Sequence, residues 1–229
     1  MSLAVITGAS RGFGAALSEV LIGNGWDVIG TGRRKAHLDA VATRLGSAFT
    51  PVVGDISDPV HRNAIVELVT ERRGLALVVN NASSLGESPL PSLLAISSDT
   101  LRRVFDINSI APLLLTQRLI PAMQAGIGVV VNMSSDAAVE AYPGWGGYGA
   151  SKAALDHMTS VLATEAEKIS VYAFDPGDMR TEMHQAAFPG EDISDRPLPE
   201  TVVPAFMELL ESRPPSGRYR ARDSRLATL

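Results

Sequence analysis

The chain has 229 residues, of which 45% are hydrophobic and 20% charged, with a net charge of −5 and no cysteine. These values fit one globular domain spanning 1–229 and exclude a disordered or fibrous chain, while the absence of cysteine removes disulfides, thiolate nucleophiles and cysteine-bound zinc. The negative charge argues against a nucleic-acid or anionic-membrane surface; no run approaches the ~20 apolar residues of a membrane span and residues 1–8 carry no basic leader, so the expected setting is cytoplasmic.

Residues 3–6 form the first of a series of short apolar runs, continued at 27–31, 49–53, 75–79, 128–133 and 170–174, with longer amphipathic segments between them. This alternation predicts a β-α-β-α chain, and unbroken apolar stretches such as Val129-Val130-Val131 suit parallel strands covered on both faces. A doubly wound sheet of about seven strands is expected, the seventh being an edge strand at 217–221 that follows a Pro-Pro turn.

After the first strand comes Thr7-Gly8-Ala9-Ser10-Arg11-Gly12-Phe13-Gly14, leading into a helix at 15–22. Glycines allow a tight turn and close backbone approach to a pyrophosphate, and the free N–H groups of a helix start favour anions. At the end of the second strand, an acidic residue would bind ribose hydroxyls and repel a 2′-phosphate. Here Gly32 stands in that place, followed by Arg33, and Arg11 in the glycine loop can approach the same phosphate. The expected cofactor is therefore NADP(H), with NAD(H) as the alternative.

Residues 99–123 read as one long helix, capped by Ser97 or Ser98 and broken at Pro112. Proline has no N–H to offer the carbonyl four residues earlier, which belongs to Asn108 and is left free. Ser134-Ser135 ends the fifth apolar run, and Tyr148-Gly149-Ala150-Ser151-Lys152 opens the next helix. A Tyr and a Lys four apart share one helical face, so the ammonium can sit near the phenol. Bringing a tyrosine of pKa ≈ 10 near neutrality requires roughly three units, or about 4 kcal/mol, of preferential phenolate stabilisation, toward which Lys152 contributes positive charge. Between Ser135 and Tyr148, Tyr142 and Trp145 either line a substrate cavity or pack a loop.

Asp175-Pro176-Gly177-Asp178-Met179-Arg180-Thr181 follows the sixth run, at the strand ends where open α/β sheets bind ligands. Periodicity then fails over 182–199, a stretch expected to be a mobile loop, either a substrate lid or a disordered insertion. The four histidines, His37, His61, His157 and His184, fall in no metal-binding spacing, and no metal is expected.

The glycine spacing, the Ser135, Tyr148 and Lys152 set and the Pro-Gly turn together resemble the classical short-chain dehydrogenase/reductase family over residues 3–181. The resemblance implies a Rossmann-type fold and an NAD(P)-dependent oxidoreductase that transfers hydride between a nicotinamide and a carbonyl or alcohol, with a small-molecule substrate and a homodimer or homotetramer pairing through the helices of Asn108 and Tyr148. It selects Ser135, thirteen residues before Tyr148, as the catalytic serine. Asn108, Ser135, Tyr148 and Lys152 form the implied catalytic set, with Asn108 holding a water that links Lys152 to solvent. The implied cofactor contacts are Gly8, Ser10, Arg11, Gly12, Phe13 and Gly14 in the loop, Arg33, Asp55 and Ile56, Asn81 and Ala82, Tyr148 and Lys152, and Pro176, Gly177, Met179 and Thr181. Asp55 would bind the adenine and Thr181 the carboxamide. A non-catalytic NADP(H)-sensing regulatory protein is the alternative; it need not keep the proton-transfer set. The family usually has glycine where Asn80-Asn81-Ala82-Ser83 ends in serine. If that glycine takes a positive φ, Ser83 costs of order 1 kcal/mol or shifts the cofactor.

Overall fold

The computed structural model describes residues 2–221 of the chain. Seven strands form one parallel sheet in the order β3-β2-β1-β4-β5-β6-β7: β1 (Leu3–Thr7), β2 (Asp27–Gly32), β3 (Phe49–Val53), β4 (Leu75–Asn80), β5 (Val129–Met133), β6 (Ser170–Asp175) and β7 (Gly217–Arg220). All seven expected strands are present, and the sheet is parallel throughout.

The apolar strand runs are explained by two cores, one on each face. Ala4 and Ile6 of β1 join Leu17 and Leu21 of α1 (Gly12–Gly23), Leu38 of α2 (Lys35–Leu45) and Phe206 of α8 (Pro199–Ser212). Leu3 and Val5 point the other way, to Ile65 of α3 (Pro59–Arg72) and Leu115 of α5 (Ala111–Leu119). Alternate side chains of one strand thus enter opposite cores, so every position must be apolar. β1 lies between β2 and β4, so the chain direction of winding reverses there and opens a crevice at the carboxyl ends of the strands.

Two expectations are corrected. The single helix at 99–123 is divided into α4 (Ser98–Phe105), a π-helical turn (Asp106–Ile110), α5 and a short 3₁₀ turn (Ile120–Ala122). Ser97 is the cap, its hydroxyl accepting from the Thr100 N–H at 3.0 Å. The irregularity precedes Pro112 because the proline ring would collide with the Asn108 carbonyl in a regular α-helix, and a widened turn relieves that collision.

Residues 182–199 are also not structureless. They begin with α7 (Glu182–Ala187), whose first turn is capped by the Thr181 hydroxyl accepting from the His184 N–H at 3.1 Å. Six residues are too few to show a helical period in the sequence. Among the described residues, no helix is long and apolar enough to cross a membrane.

Candidate active site

The crevice brings together most of the residues singled out in the sequence. At its floor the glycine loop turns back on itself: Gly8 and Gly12 have φ of +68° and +54°, and a Cβ at Gly14 would lie 2.4 Å from the Gly8 carbonyl oxygen. Asn81 fastens this loop, its Nδ2 donating to the carbonyls of Thr7 (2.9 Å) and Gly8 (3.1 Å). The N–H groups of Asn81 and Ala82 donate to the Thr7 hydroxyl at 3.0 and 2.9 Å. No side chain caps α1, so its first N–H groups remain available to an anion.

Beside the loop stand three guanidinium groups, Arg11, Arg33 and Arg34. Partial burial, and then the charges of Arg34 and Arg33, push the Arg11 pKa down. Such mutual repulsion is relieved by a bound anion, so the donor set suits a phosphorylated dinucleotide. Glu182 of α7 meets both Arg11 and Arg34, the latter at 3.2 Å. Arg33 is 3.9 Å from Asp55, which Arg103 also approaches at 3.4 Å. Partial burial opposes ionisation of Asp55, but hydrogen bonds from Ser57 and these two arginines outweigh it and hold its pKa below the usual carboxylate value.

Two of the expected cofactor contacts turn their side chains into the cores. Phe13 packs edge-on against Phe206 with ring centroids 5.5 Å apart, and Ile56 is buried in the opposite core. Only their backbones are left to face the crevice. Ser10 lies against Gly32, where an added Cβ would come within 3.0 Å of the Ser10 side chain.

The residues expected to transfer the proton come from three elements. Ser135 follows β5, Tyr148 and Lys152 lie one turn apart on α6 (Gly146–Glu165), and Asn108 sits in the π-helical turn. Tyr148 and Ser135 line one cavity, and the hydroxyls of Ser83 and Ser135 are near enough to the phenol to act on its ionisation. Burial pushes Tyr148 up to about 12; the two serine hydroxyls act in the opposite direction, and the Asp175 and Asp136 charges add to the rise. The lysine therefore does not by itself bring the phenol toward neutrality. Lys152 is fully buried, donates to the Met133 carbonyl at 2.6 Å and lies 5.7 Å from the Tyr148 ring centroid. Burial pushes its ammonium down to about 8, against the pull of Asp156 and Asp175.

Ser83 does not have a positive φ, so the expected strain is absent. Its hydroxyl instead donates to Asn108 Oδ1 at 3.1 Å, beside the Ser84 N–H at 2.8 Å. Asn108 Nδ2 donates to the Ser84 carbonyl and the Ser151 hydroxyl, both at 2.9 Å. Every polar atom of that buried side chain is thus engaged in holding the loop after β4 against α6.

Behind the serines lies a network that the sequence reading missed. Arg218 of β7 donates to Asp156 (3.0 Å), Asp175 (3.0 Å) and the Ser135 carbonyl (2.9 Å), and Ser134 donates to Asp156 at 2.7 Å. Ser134 faces this network, whereas the Ser135 hydroxyl turns to Asp136 at the cavity. Burial raises the Asp156 pKa, opposed by the Ser134 hydroxyl and Arg218. The only sequence signal was an arginine on a short edge strand and an acid one turn after Lys152.

A cavity of about 340 Å³ opens beside Tyr148 and Ser135, walled by Tyr142, Trp145, Phe188 and the 175–181 turn, with Pro176, Gly177, Met179 and Thr181 all in its lining. Trp145 stacks at a tilt with Phe188, centroids 5.9 Å apart, and edge-on with Tyr148 at 5.6 Å. Tyr142 and Trp145 therefore line the cavity, the first of the two roles open to them.

The chain is similar to known proteins in sequence and fold. The short chain dehydrogenase family model matches residues 2–192. Serine 3-dehydrogenase of Rhizobium radiobacter is 36% identical over 182 residues, covering 78% of this chain and 72% of that protein. Benzil reductase ((S)-benzoin forming) of Saccharomyces cerevisiae is 32% identical over 216 residues, covering 89% and 79%. A short chain dehydrogenase structure from Shigella flexneri, complexed with NADP, superposes with a TM-score of 0.89 at 27% identity, covering 96% of this chain and 97% of that one. The chain belongs to the short-chain dehydrogenase/reductase family and is an NAD(P)-dependent oxidoreductase.

Proposed function

We propose that the protein is an NADPH-dependent reductase of small carbonyl compounds, running in reverse as an alcohol dehydrogenase, with Tyr148 as its general acid and base. The observation that carries this reading is the meeting of Tyr148 and Ser135 at one cavity, with the buried Lys152 ammonium 5.7 Å from the Tyr148 ring centroid. Gly8, Ser10, Gly12 and Gly14, with Asn81 and Ala82, would hold the cofactor's backbone, and Thr181 its carboxamide. The cofactor supplies or accepts hydride. Ser135 holds the substrate oxygen, and Tyr148 delivers the proton to it. Lys152 favours the phenolate left behind, and the Asn108 carbonyl, relieved of a helical partner by Pro112, orders the water through which the proton is restored.

Preference for the phosphorylated cofactor rests on Arg11, Arg33 and Arg34 and on the absence of an acidic side chain at Gly32. The NADP in the Shigella relative agrees with it. α7 and the residues up to 199 act as the substrate lid. The working assembly is a homodimer or homotetramer in the cytoplasm, where NADPH is available, and exposed Ile110, Leu114 and Val161 on the π-helical turn, α5 and α6 supply the apolar pairing face. The test is oxidation of NADPH and of NADH by the native protein against aldehydes, ketones and vicinal diketones. Reduction with kcat/KM at least about tenfold higher for NADPH is expected, since one lost charge-assisted pair is worth about that factor; equal use of both cofactors would remove the phosphate assignment.

A further inference from the structure

Three carboxylates line the cavity beside Tyr148, and they are not equally neutralised. Asp175 is paired with Arg218 at 3.0 Å and Arg220 at 3.2 Å. Asp178 lies 3.6 Å from Arg196 and 3.9 Å from His184. Asp136 meets only neutral donors: the Ser135 hydroxyl at 3.0 Å, the Ala137 N–H at 2.8 Å and the Tyr142 hydroxyl at 3.2 Å, which Glu140 also competes for. Among the described residues no Lys or Arg pairs with it. His184 faces it across the cavity, but burial keeps that imidazole's pKa below its ordinary value and hence neutral near pH 7.

This placement conflicts with the chemistry of the site. Ser135 has one hydroxyl proton, and here it points to Asp136; the reacting oxygen needs the same proton as charge develops on it. A carboxylate next to that oxygen also opposes the charge. Both difficulties end when the substrate itself brings a donor to Asp136, because the carboxylate is then satisfied and the Ser135 proton is released to the reacting oxygen.

Building on the carbonyl-reductase reading, we propose that Asp136 is a substrate-recognition residue and that the enzyme takes amino ketones, or the matching amino alcohols. The ammonium lies within two carbons of the reacting carbon and meets Asp136, while an aromatic or apolar body rests against Trp145 and Phe188. Carboxylate-bearing ketones of the same shape are turned away by like-charge repulsion.

Three phenyl ketones that differ only in their terminal group test this at pH 7: 3-(dimethylamino)propiophenone, butyrophenone and 3-benzoylpropionate, cationic, neutral and anionic. The native enzyme is expected to rank them in that order, with the cation favoured over the anion by about 100-fold in kcat/KM. Asp136→Asn keeps the side chain's shape and its acceptor for the Ala137 N–H. It is expected to shrink the cation-to-anion ratio at least tenfold, whatever it does to absolute rates, which cancel in the ratio. A purely structural Asp136 would leave the ratio unmoved, and that result, or a native preference for the anion, overturns the proposal. Failure to reduce any of the three counts against the reductase reading instead. Charge selection is then read by calorimetric binding of benzylammonium, benzyl alcohol and benzoate to the native protein and Asp136→Asn, where the same ranking supports it and equal affinities refute it.

Discussion

Lys152, a proposed catalytic residue, illustrates how such a side chain can work against the fold that holds it. Its ammonium is buried and pushed down to about 8, from 10.5 in the unfolded chain. Below pH 8 both states are protonated and the folded state bears the full cost of a buried charge; between 8 and 10.5 the folded state has lost its proton first and that cost fades. Lys152→Met is therefore expected to stabilise the cofactor-free protein at pH 7 by of order 2 kcal/mol after loss of the Met133 hydrogen bond, raising the thermal midpoint by about 2–4 °C per kcal/mol. The gain should disappear toward pH 10.5, while oxidoreductase activity is lost. A midpoint that falls at pH 7 would contradict the assigned burial cost. Glu182 makes a second residue-scale prediction. It pairs with Arg11 and Arg34, two of the groups assigned to the 2′-phosphate, so Glu182→Gln should tighten NADPH binding about threefold at low salt and leave NADH unchanged. Calorimetric titration of both cofactors reads it.

At the scale of elements, what could be read in the sequence depended on whether a segment's signal was local. The strands were legible because each is buried on both faces, and Val129 to Met133 has no alternative home. The placing of Ser135, Tyr148 and Lys152 was legible because Tyr148 and Lys152 sit one turn apart and Ser135 follows a recognisable strand. The π-helical turn was half legible: Pro112 marked the break, but the extra residue lies before it and is set by packing against Ser84 and Ser151. The Arg218 network was invisible, since Asp156, Asp175 and Arg218 meet only when β7 docks beside β6. That element carries its own test. Arg218→Met leaves the largely buried Asp156 and the buried Asp175 without this cation and Ser135 without a clamp, and should cost about 3 kcal/mol in denaturant unfolding. Arg218→Lys should recover only part of it, because one ammonium cannot replace the fork that joins both acids.

Over the whole molecule, the sheet's reversal between β1 and β4 explains why residues from 8 to 188 share one crevice: each βα turn delivers its side chains to the same edge. The faces away from that edge carry the proposed assembly. Ile110 and Leu114 are one helical turn apart and exposed, so replacing both with lysine should convert a sedimenting dimer or tetramer into smaller species; a native protein that sediments as a monomer at micromolar concentration would refute the pairing. In the proposed function the crevice is a working proton-transfer site and Tyr148 supplies the proton. The most direct test is NADPH oxidation by native protein and Tyr148→Phe with the same reducible ketone, after calorimetry has shown that both bind NADPH alike. A fall in kcat of at least about 10²-fold is expected for Tyr148→Phe, the usual contribution of a positioned acid; equal rates in the two proteins would rule out Tyr148 as the proton donor.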